Sequence, residues 1–290
     1  MTNLDLFDQQ LKKVCSNKSW IQSEICNLLN SNEKELVEIK KFLQNWFSRL
    51  PHEEQKRIHN LFTSKEKSQH RGGFFELYLH EILSLAGYTI EYQPKIKADE
   101  EPTDFYVERT NTRFYLEATI KLTDSLQKIK KTKLGDIEIH ETSVWKILSK
   151  TLKLKYPAKY SLENEPYIIA VNICTNGMPI IDEDIYYAIY GFLVNIEELN
   201  IAIISSGQIG KYNEEKDSFF YNNRNVSALI VTTNLNAWSL TEKKATLYIN
   251  PVANNPIPID ILPISTVYFD EKKGKYITSK GKNNKDLFNL

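Results

Sequence analysis

Residues 102–121 read PTDFYVERTNTRFYLEATIK. Two short segments alternate between apolar and polar residues, and the polar residues 108–112 separate them. This pattern predicts a β-hairpin with a longish loop, in which Asp104 opens the first strand.

The second predicted strand carries a polar face. Glu117 and Thr119 are two residues apart and therefore project from the same side, with Lys121 one step further along it. Asp104 and Glu117 come from paired strands, so their carboxylates can share one pocket. Carboxylate oxygens are the ligands that Mg²⁺ or Mn²⁺ prefers, and the hairpin therefore predicts a site for a divalent cation.

Together with its flanking elements, this hairpin resembles the PD-(D/E)XK, restriction-endonuclease-like nuclease superfamily. The letters PTD at 102–104 match the Pro-Asp half of that motif, and EAT at 117–119 matches the acid-x-Lys half. The chain departs from the pattern twice, because Thr103 separates the Pro from the Asp and Thr119 stands where the lysine is expected. The predicted order of helix, strand and hairpin is the order that this nuclease core requires. The resemblance covers roughly residues 70–205.

The resemblance implies an α/β fold, a mixed sheet flanked by helices, and phosphodiester hydrolysis that depends on Mg²⁺ or Mn²⁺. Asp104 and Glu117 would be catalytic residues and metal ligands. A strong helix is predicted over 74–86, and the resemblance gives its Glu76 a part in holding the metal or its water. A favourable interaction with the helix N-terminus, or a solvated position, fits Glu76 equally well.

The motif lysine would orient the attacking water and offset developing negative charge, which the hydroxyl of Thr119 cannot do. A lysine from elsewhere would have to replace it. Lys121 is about 6–7 Å beyond Thr119 on the same strand. Lys150 and Lys153 belong to a helix predicted over 142–156. Lys153 is slightly favoured over Lys121, because a helix can place an ammonium group over the pocket.

Lysines are concentrated after the hairpin. Residues 121–160 contain ten lysines and four acids, in a chain whose net charge is zero. Lys146, Lys150 and Lys153 share or adjoin one face of the predicted helix, and we expect this face to bind the phosphate backbone of DNA. A solvated face is the alternative.

Four segments follow from the pattern along the chain. We expect an N-terminal helical segment over 1–65, a nuclease-like core over 70–205, a β-rich extension over 206–270 and a basic tail over 271–290. The polar stretch 64–73 is predicted to be a linker or a turn. The tail would be a disordered arm that adds affinity for nucleic acid, or a solvated terminus. The helical segment would pack on the core or bind a partner, including a second copy of the chain.

The composition bears on the state of the cysteines and histidines and on the cellular location. The three cysteines show no C-x-x-C spacing and are interpreted as reduced thiols, and His52, His59 and His70 as surface or capping residues. The chain has no apolar run of membrane-spanning length and no secretory signal, so we expect a cytoplasmic protein without membrane contact.

Three functions remain open on the sequence. The first is a metal-dependent DNA endonuclease, in restriction, phage defence or repair. The second is a catalytically inactive module of the same fold that binds nucleic acid or a protein partner, and Thr119 is its best support. The third is a protein-interaction domain without a nucleic-acid role, and the zero net charge is its only support.

Overall fold

A computed structural model describes residues 4–16, 24–64, 66–95, 102–123, 127–131, 137–141, 165–175, 180, 182–190 and 219–289. Within these residues helices flank an eight-stranded mixed sheet, so the predicted α/β class is confirmed. No helix in this part of the chain is long and apolar enough to cross a membrane.

The helices and strands have the following bounds. The described helices are α1 (Gln9–Cys15), α2 (Glu24–Asn30), α3 (Lys34–Ser48), α4 (His52–Phe62), α5 (Lys67–Leu85), α6 (Asp182–Tyr190), α7 (Phe219–Asn222) and α8 (Asn284–Phe288). The strands are β1 (Thr89–Tyr92), β2 (Phe105–Arg109), β3 (Thr112–Thr123), β4 (Gln127–Lys131), β5 (Ile137–Glu141), β6 (Tyr167–Thr175), β7 (Ala228–Thr233), β8 (Thr246–Ile249), β9 (Ser265–Asp270) and β10 (Lys275–Ser279).

The large sheet has the strand order β1-β2-β3-β6-β7-β8-β9-β10. Its first three strands are antiparallel, β3, β6 and β7 are parallel, and the remaining pairs are mixed. Strand β6 is buried along its whole length, as expected for a central parallel strand with both faces covered. Strands β4 and β5 form a separate antiparallel pair that the sequence analysis did not predict.

Each face of the sheet has its own hydrophobic core. One core joins the N-terminal helices and α5 to side chains such as Leu116 of β3 and Ile168 of β6. The other core joins α6 and α7 to the alternate positions, such as Ile169 and Val171. The period of two along each strand therefore decides which helix layer a sheet residue meets.

The hairpin is confirmed, but its loop is shorter than predicted. The register pairs Arg109 with Thr112, so Thr110 and Asn111 alone form the turn. Thr110 takes a φ of +49°, as tight hairpin turns often require, and this lets both strands extend into the region that was predicted as loop.

Helix α5 begins seven residues earlier than predicted, and the expected linker over 64–73 is wrong. Gly72 and Gly73 lie inside the helix, although glycine disfavours helix. Packing against α4 outweighs that propensity, since a Cβ atom on Gly73 would come within 2.9 Å of Leu61 Cβ. The end of the helix is as predicted, with Gly87 following it at a φ of +79°.

Two expectations for the N-terminal segment are wrong, although its helical character is confirmed in the described residues. His59 and His70 are buried, so their expected surface positions are wrong. The Nδ1 atom of His70 lies 3.1 Å from the carbonyl oxygen of Phe62, the last residue of α4, which agrees with the capping alternative. Cys15 and Cys26 form a disulfide, because α1 and α2 bring their Cα atoms to 5.2 Å. Disulfides persist mostly in oxidising compartments, so this bond does not favour a cytoplasmic location. The cytoplasmic location remains a prediction.

The expected basic tail is part of the fold. Strand β10 pairs with β9, and α8 returns to the core. Phe288 is buried against Trp46 and Tyr78, with ring centroids 4.7 and 5.7 Å away, and Tyr78 donates a hydrogen bond to Asn284 at 2.8 Å. The expectation of a disordered arm is therefore wrong. The many lysines of the segment suggested disorder, but its few apolar residues are enough to pack it on the core.

The packing of α8 on the core leads to a prediction about the free energy of unfolding. Phe288→Ala should lower the free energy of unfolding by about 3–5 kcal/mol, because it leaves a cavity between two aromatic rings. Lys285→Ala, on the exposed side of the same helix, is the control and should have no measurable effect. Urea unfolding monitored by tryptophan fluorescence distinguishes the two, and equal stability of both variants would contradict the packing of α8.

Candidate functional site

Asp104 lies directly before β2, where the strand pairing places it opposite Glu117. The register pairs Phe105 with Leu116, so the next pair along is Asp104 with Glu117. The Oδ2 atom of Asp104 also accepts a hydrogen bond from the backbone N–H of Ala118 at 2.6 Å. The two acids predicted from the sequence are therefore neighbours on adjacent strands.

Glu117 is only 9 % exposed, which is unusual for a glutamate. Its neighbour Leu116 points into the core beneath α5, so strand alternation directs Glu117 to the opposite face. A buried carboxylate needs hydrogen bonds, a positive charge or a metal ion to balance it. Because glutamate is rarely so buried, Glu117 is a candidate functional residue.

Strand β3 continues to Thr123, well beyond the start of β2 at Phe105. Within the described residues, positions 118–123 therefore pair with β6 alone. Thr119 and Lys121 lie on this extension and are half-buried. By alternation they share a face with the buried acid of the same strand, as the sequence predicted.

A cleft of about 270 Å³ lies between the extension of β3 and helix α5. Its walls include Thr119 and Ile120 from the strand, and Gly72 and Glu76 from the helix. Glu76 and the residue at the position of the motif lysine therefore line the same space.

Glu76 lies in the middle of α5, not near its start. The helix begins at Lys67, so the expected interaction of Glu76 with a helix N-terminus is wrong. Its carboxylate instead accepts a hydrogen bond from the guanidinium of Arg57, on α4. Arg57 also donates from Nε to Glu54 at 2.8 Å, so one cation serves two largely buried acids.

The surroundings of Glu76 favour its neutral form. Burial raises the pKa of Glu76, and the negative charges of Glu54 and Glu117 raise it further, whereas Arg57 lowers it. The influence of Glu117 shows that these two acids are electrostatic neighbours, although they belong to different elements. An added cation at this place would stabilise the ionised carboxylates.

The opposite side of the ion pair is closed. His80 packs there against the ring of Tyr92, with centroids 5.9 Å apart. Burial, with a smaller contribution from Arg49, lowers the pKa of His80 to about 4. His80 is therefore neutral at pH 7 and adds no positive charge beside Glu76.

The described residues contain no group of three or more His, Cys, Asp or Glu side chains that could hold a metal ion. Among these residues, Glu76, Asp104 and Glu117 therefore do not form one metal-binding cluster. The pair Asp104 and Glu117 still fits Mg²⁺, which is commonly held by one or two carboxylates while water and phosphate oxygens complete its shell.

The predicted lysines are only partly described. Lys121 lies on β3, two residues beyond Thr119. Lys146, Lys150 and Lys153 lie outside the described residues. Arg57 was not among the predicted site residues, because nothing in the linear pattern joins it to an acid 19 residues away on the next helix.

Comparison of the chain with protein-family models, with curated proteins and with solved structures found no match. The site is therefore defined by its own geometry. It consists of two carboxylates on adjacent strands of a mixed α/β sheet, and a third, paired with an arginine, beside a polar cleft.

The ion pair of Arg57 makes a testable prediction about stability. Arg57→Ala should lower the free energy of unfolding by about 3–5 kcal/mol at pH 7, because Glu54 and Glu76 lose their shared cation. The pKa of Glu76, already raised in the folded protein, should rise further. A raised folded pKa gives stability that is present at acidic pH and lost as pH increases, so the deficit should be smaller at pH 5 than at pH 7.

The measurement is urea unfolding of both proteins at the two pH values. Lys56→Ala is the matched control on the same helix, because it removes an exposed ion pair with Glu53, and it should not measurably change stability at either pH. An Arg57→Ala variant as stable as the wild type at pH 7 would show that the pair does not hold these helices together.

Proposed function

We propose that the chain is a metal-dependent endonuclease that hydrolyses phosphodiester bonds in DNA. The observation that carries the proposal is the placement of Asp104 opposite Glu117 on the β2–β3 hairpin. The order of helix α5, strand β1 and this hairpin agrees with the order required by the restriction-endonuclease-like core, which we propose as the finer fold.

The chemistry would centre on the two strand carboxylates. A divalent cation held by Asp104 and Glu117 would polarise the phosphate and lower the pKa of a bound water. Glu76 would reach this site through water, while Arg57 donates a hydrogen bond to its carboxylate. The hydroxyl of Thr119 would hydrogen-bond a water or a phosphate oxygen at the position of the motif lysine.

A second candidate is a catalytically inactive module of the same fold that binds nucleic acid or a protein partner. Thr119 favours it, because a hydroxyl cannot supply the positive charge of the motif lysine. The ion pair between Arg57 and Glu76 also favours the inactive module, because the carboxylate of Glu76 already has a cation and does not need a metal ion.

Plasmid cleavage tests the first proposal. Purified protein with Mg²⁺ or Mn²⁺ should cleave supercoiled plasmid, and EDTA should abolish cleavage. Asp104→Asn and Glu117→Gln should each lower the rate at least about 100-fold and weaken Mn²⁺ binding in calorimetry, because each removes a charged metal ligand. Glu108→Gln is the matched control, since it removes an exposed carboxylate on the same hairpin and should leave the rate unchanged.

The outcomes separate the two candidates. Cleavage that survives both acid substitutions would refute the assignment of the site. No cleavage with any metal, accompanied by a salt-sensitive gel shift that EDTA does not alter, would support the binding module.

Replacement of the motif lysine has its own test. If a lysine from elsewhere supplies the missing charge, one of Lys121→Ala, Lys150→Ala and Lys153→Ala should lower the cleavage rate by about 100-fold, as loss of a single charge-stabilising group does. Each rate is measured at saturating plasmid. Wild-type rates in all three variants would show that none of these lysines takes the role.

A further inference from the structure

Two consecutive glycines lie inside α5, at positions where glycine weakens a helix. Each therefore needs a physical reason. Gly73 has one in the packing of the helices, because a Cβ atom there would lie 2.9 Å from Leu61 Cβ and 3.3 Å from the ring of Phe62. Close approach of α4 and α5 requires this glycine.

Gly72 has no such reason. A Cβ atom built on it meets no atom within 4 Å among the described residues, and its backbone is in the ordinary helical conformation. Neither packing nor a positive φ therefore excludes a side chain. Gly72 does line the cleft, facing the extended part of β3.

The glycine belongs to a stripe along α5. Ser68, Gly72 and Glu76 are spaced four residues apart, so they lie on one side of the helix, and all three line the cleft. Thr119 lines the cleft from the strand. Gly72 is thus one turn from Glu76, and both line the cleft opposite Thr119.

We propose that Gly72 keeps this cleft open for the sugar–phosphate backbone of the bound nucleic acid, which lies against α5 between Ser68 and Thr119. The inference rests on the proposed function, because it takes the occupant to be the strand that passes the carboxylate pair. A side chain at position 72 projects into the space that this strand occupies.

The chemistry of the cleft agrees with such an occupant. Ser68, Gln69 and Thr119 line the cleft beside Glu76, and their side chains carry neutral hydrogen-bond donors of the kind that contact phosphate and sugar oxygens. The volume, about 270 Å³, lies just below the usual range of roughly 300–1,000 Å³ for pockets that enclose a whole ligand. The cleft therefore accommodates a short part of a longer chain.

The test compares Gly72→Leu, Gly72→Ala and Gly73→Ala with the wild type. Gly72→Leu should lower the rate of plasmid cleavage at least about tenfold, because the side chain displaces the strand from its position. Its Tm should not fall, since the side chain enters open space and improves helix propensity. Gly73→Ala, the inverse control, should lower Tm while its cleavage rate, measured well below that Tm, stays at the wild-type value.

The results distinguish this inference from the proposed function. Cleavage at the wild-type rate by a folded Gly72→Leu variant overturns the inference and leaves the nuclease proposal intact. If the leucine variant does not fold, Gly72→Ala decides, and an unchanged rate at unchanged Tm overturns the inference. If the wild type binds a short labelled duplex without cleaving it, the same variants are compared by affinity. A wild type that neither cleaves nor binds DNA overturns both proposals.

Discussion

The register of the β2–β3 pair is the constraint on which the rest of the site depends. It places Phe105 against Leu116 and, one step further, Asp104 against Glu117. A slip of one residue would turn Leu116 out of the core and force the carboxylate of Glu117 into it. The hydrogen bond from the Ala118 amide to Asp104 adds to the ladder at the point where β2 begins. The hydrophobic core and the polar site are therefore fixed by the same pairing.

The second constraint is the balance of buried charge between the N-terminal helices and α5. Arg57 bridges Glu54 and Glu76, and Arg49 pairs with the buried Glu81 at 2.7 Å. Because an unpaired buried charge is strongly destabilising, these contacts fix how the helices pack. The N-terminal segment thus contributes a residue to the surroundings of the candidate site as well as apolar contacts. Without the N-terminal segment, the carboxylate of Glu76 would lose its paired cation, Arg57.

Some of this molecule could be predicted from the sequence, and some could not. The hairpin was predictable because alternation over a few residues is a local signal. The same local signals failed for Gly72 and Gly73, which lie in a helix because α4 packs against it, and for Phe288, one of two aromatic residues in a lysine-rich segment. Cys15 and Cys26 showed no spacing that predicts a disulfide, since their approach depends on how α1 meets α2.

The sequence by itself determined the α/β class, the hairpin and the position of one acid on each of its strands, because period-two alternation specifies which face each strand residue takes. The tertiary structure alone decided that Glu76 is paired with Arg57, that it lines a cleft with Thr119, and that the C-terminal segment is part of the core. The physical reason is that these contacts join residues far apart in the chain. Their energies depend on burial and on the distance between charges, which a linear pattern does not contain.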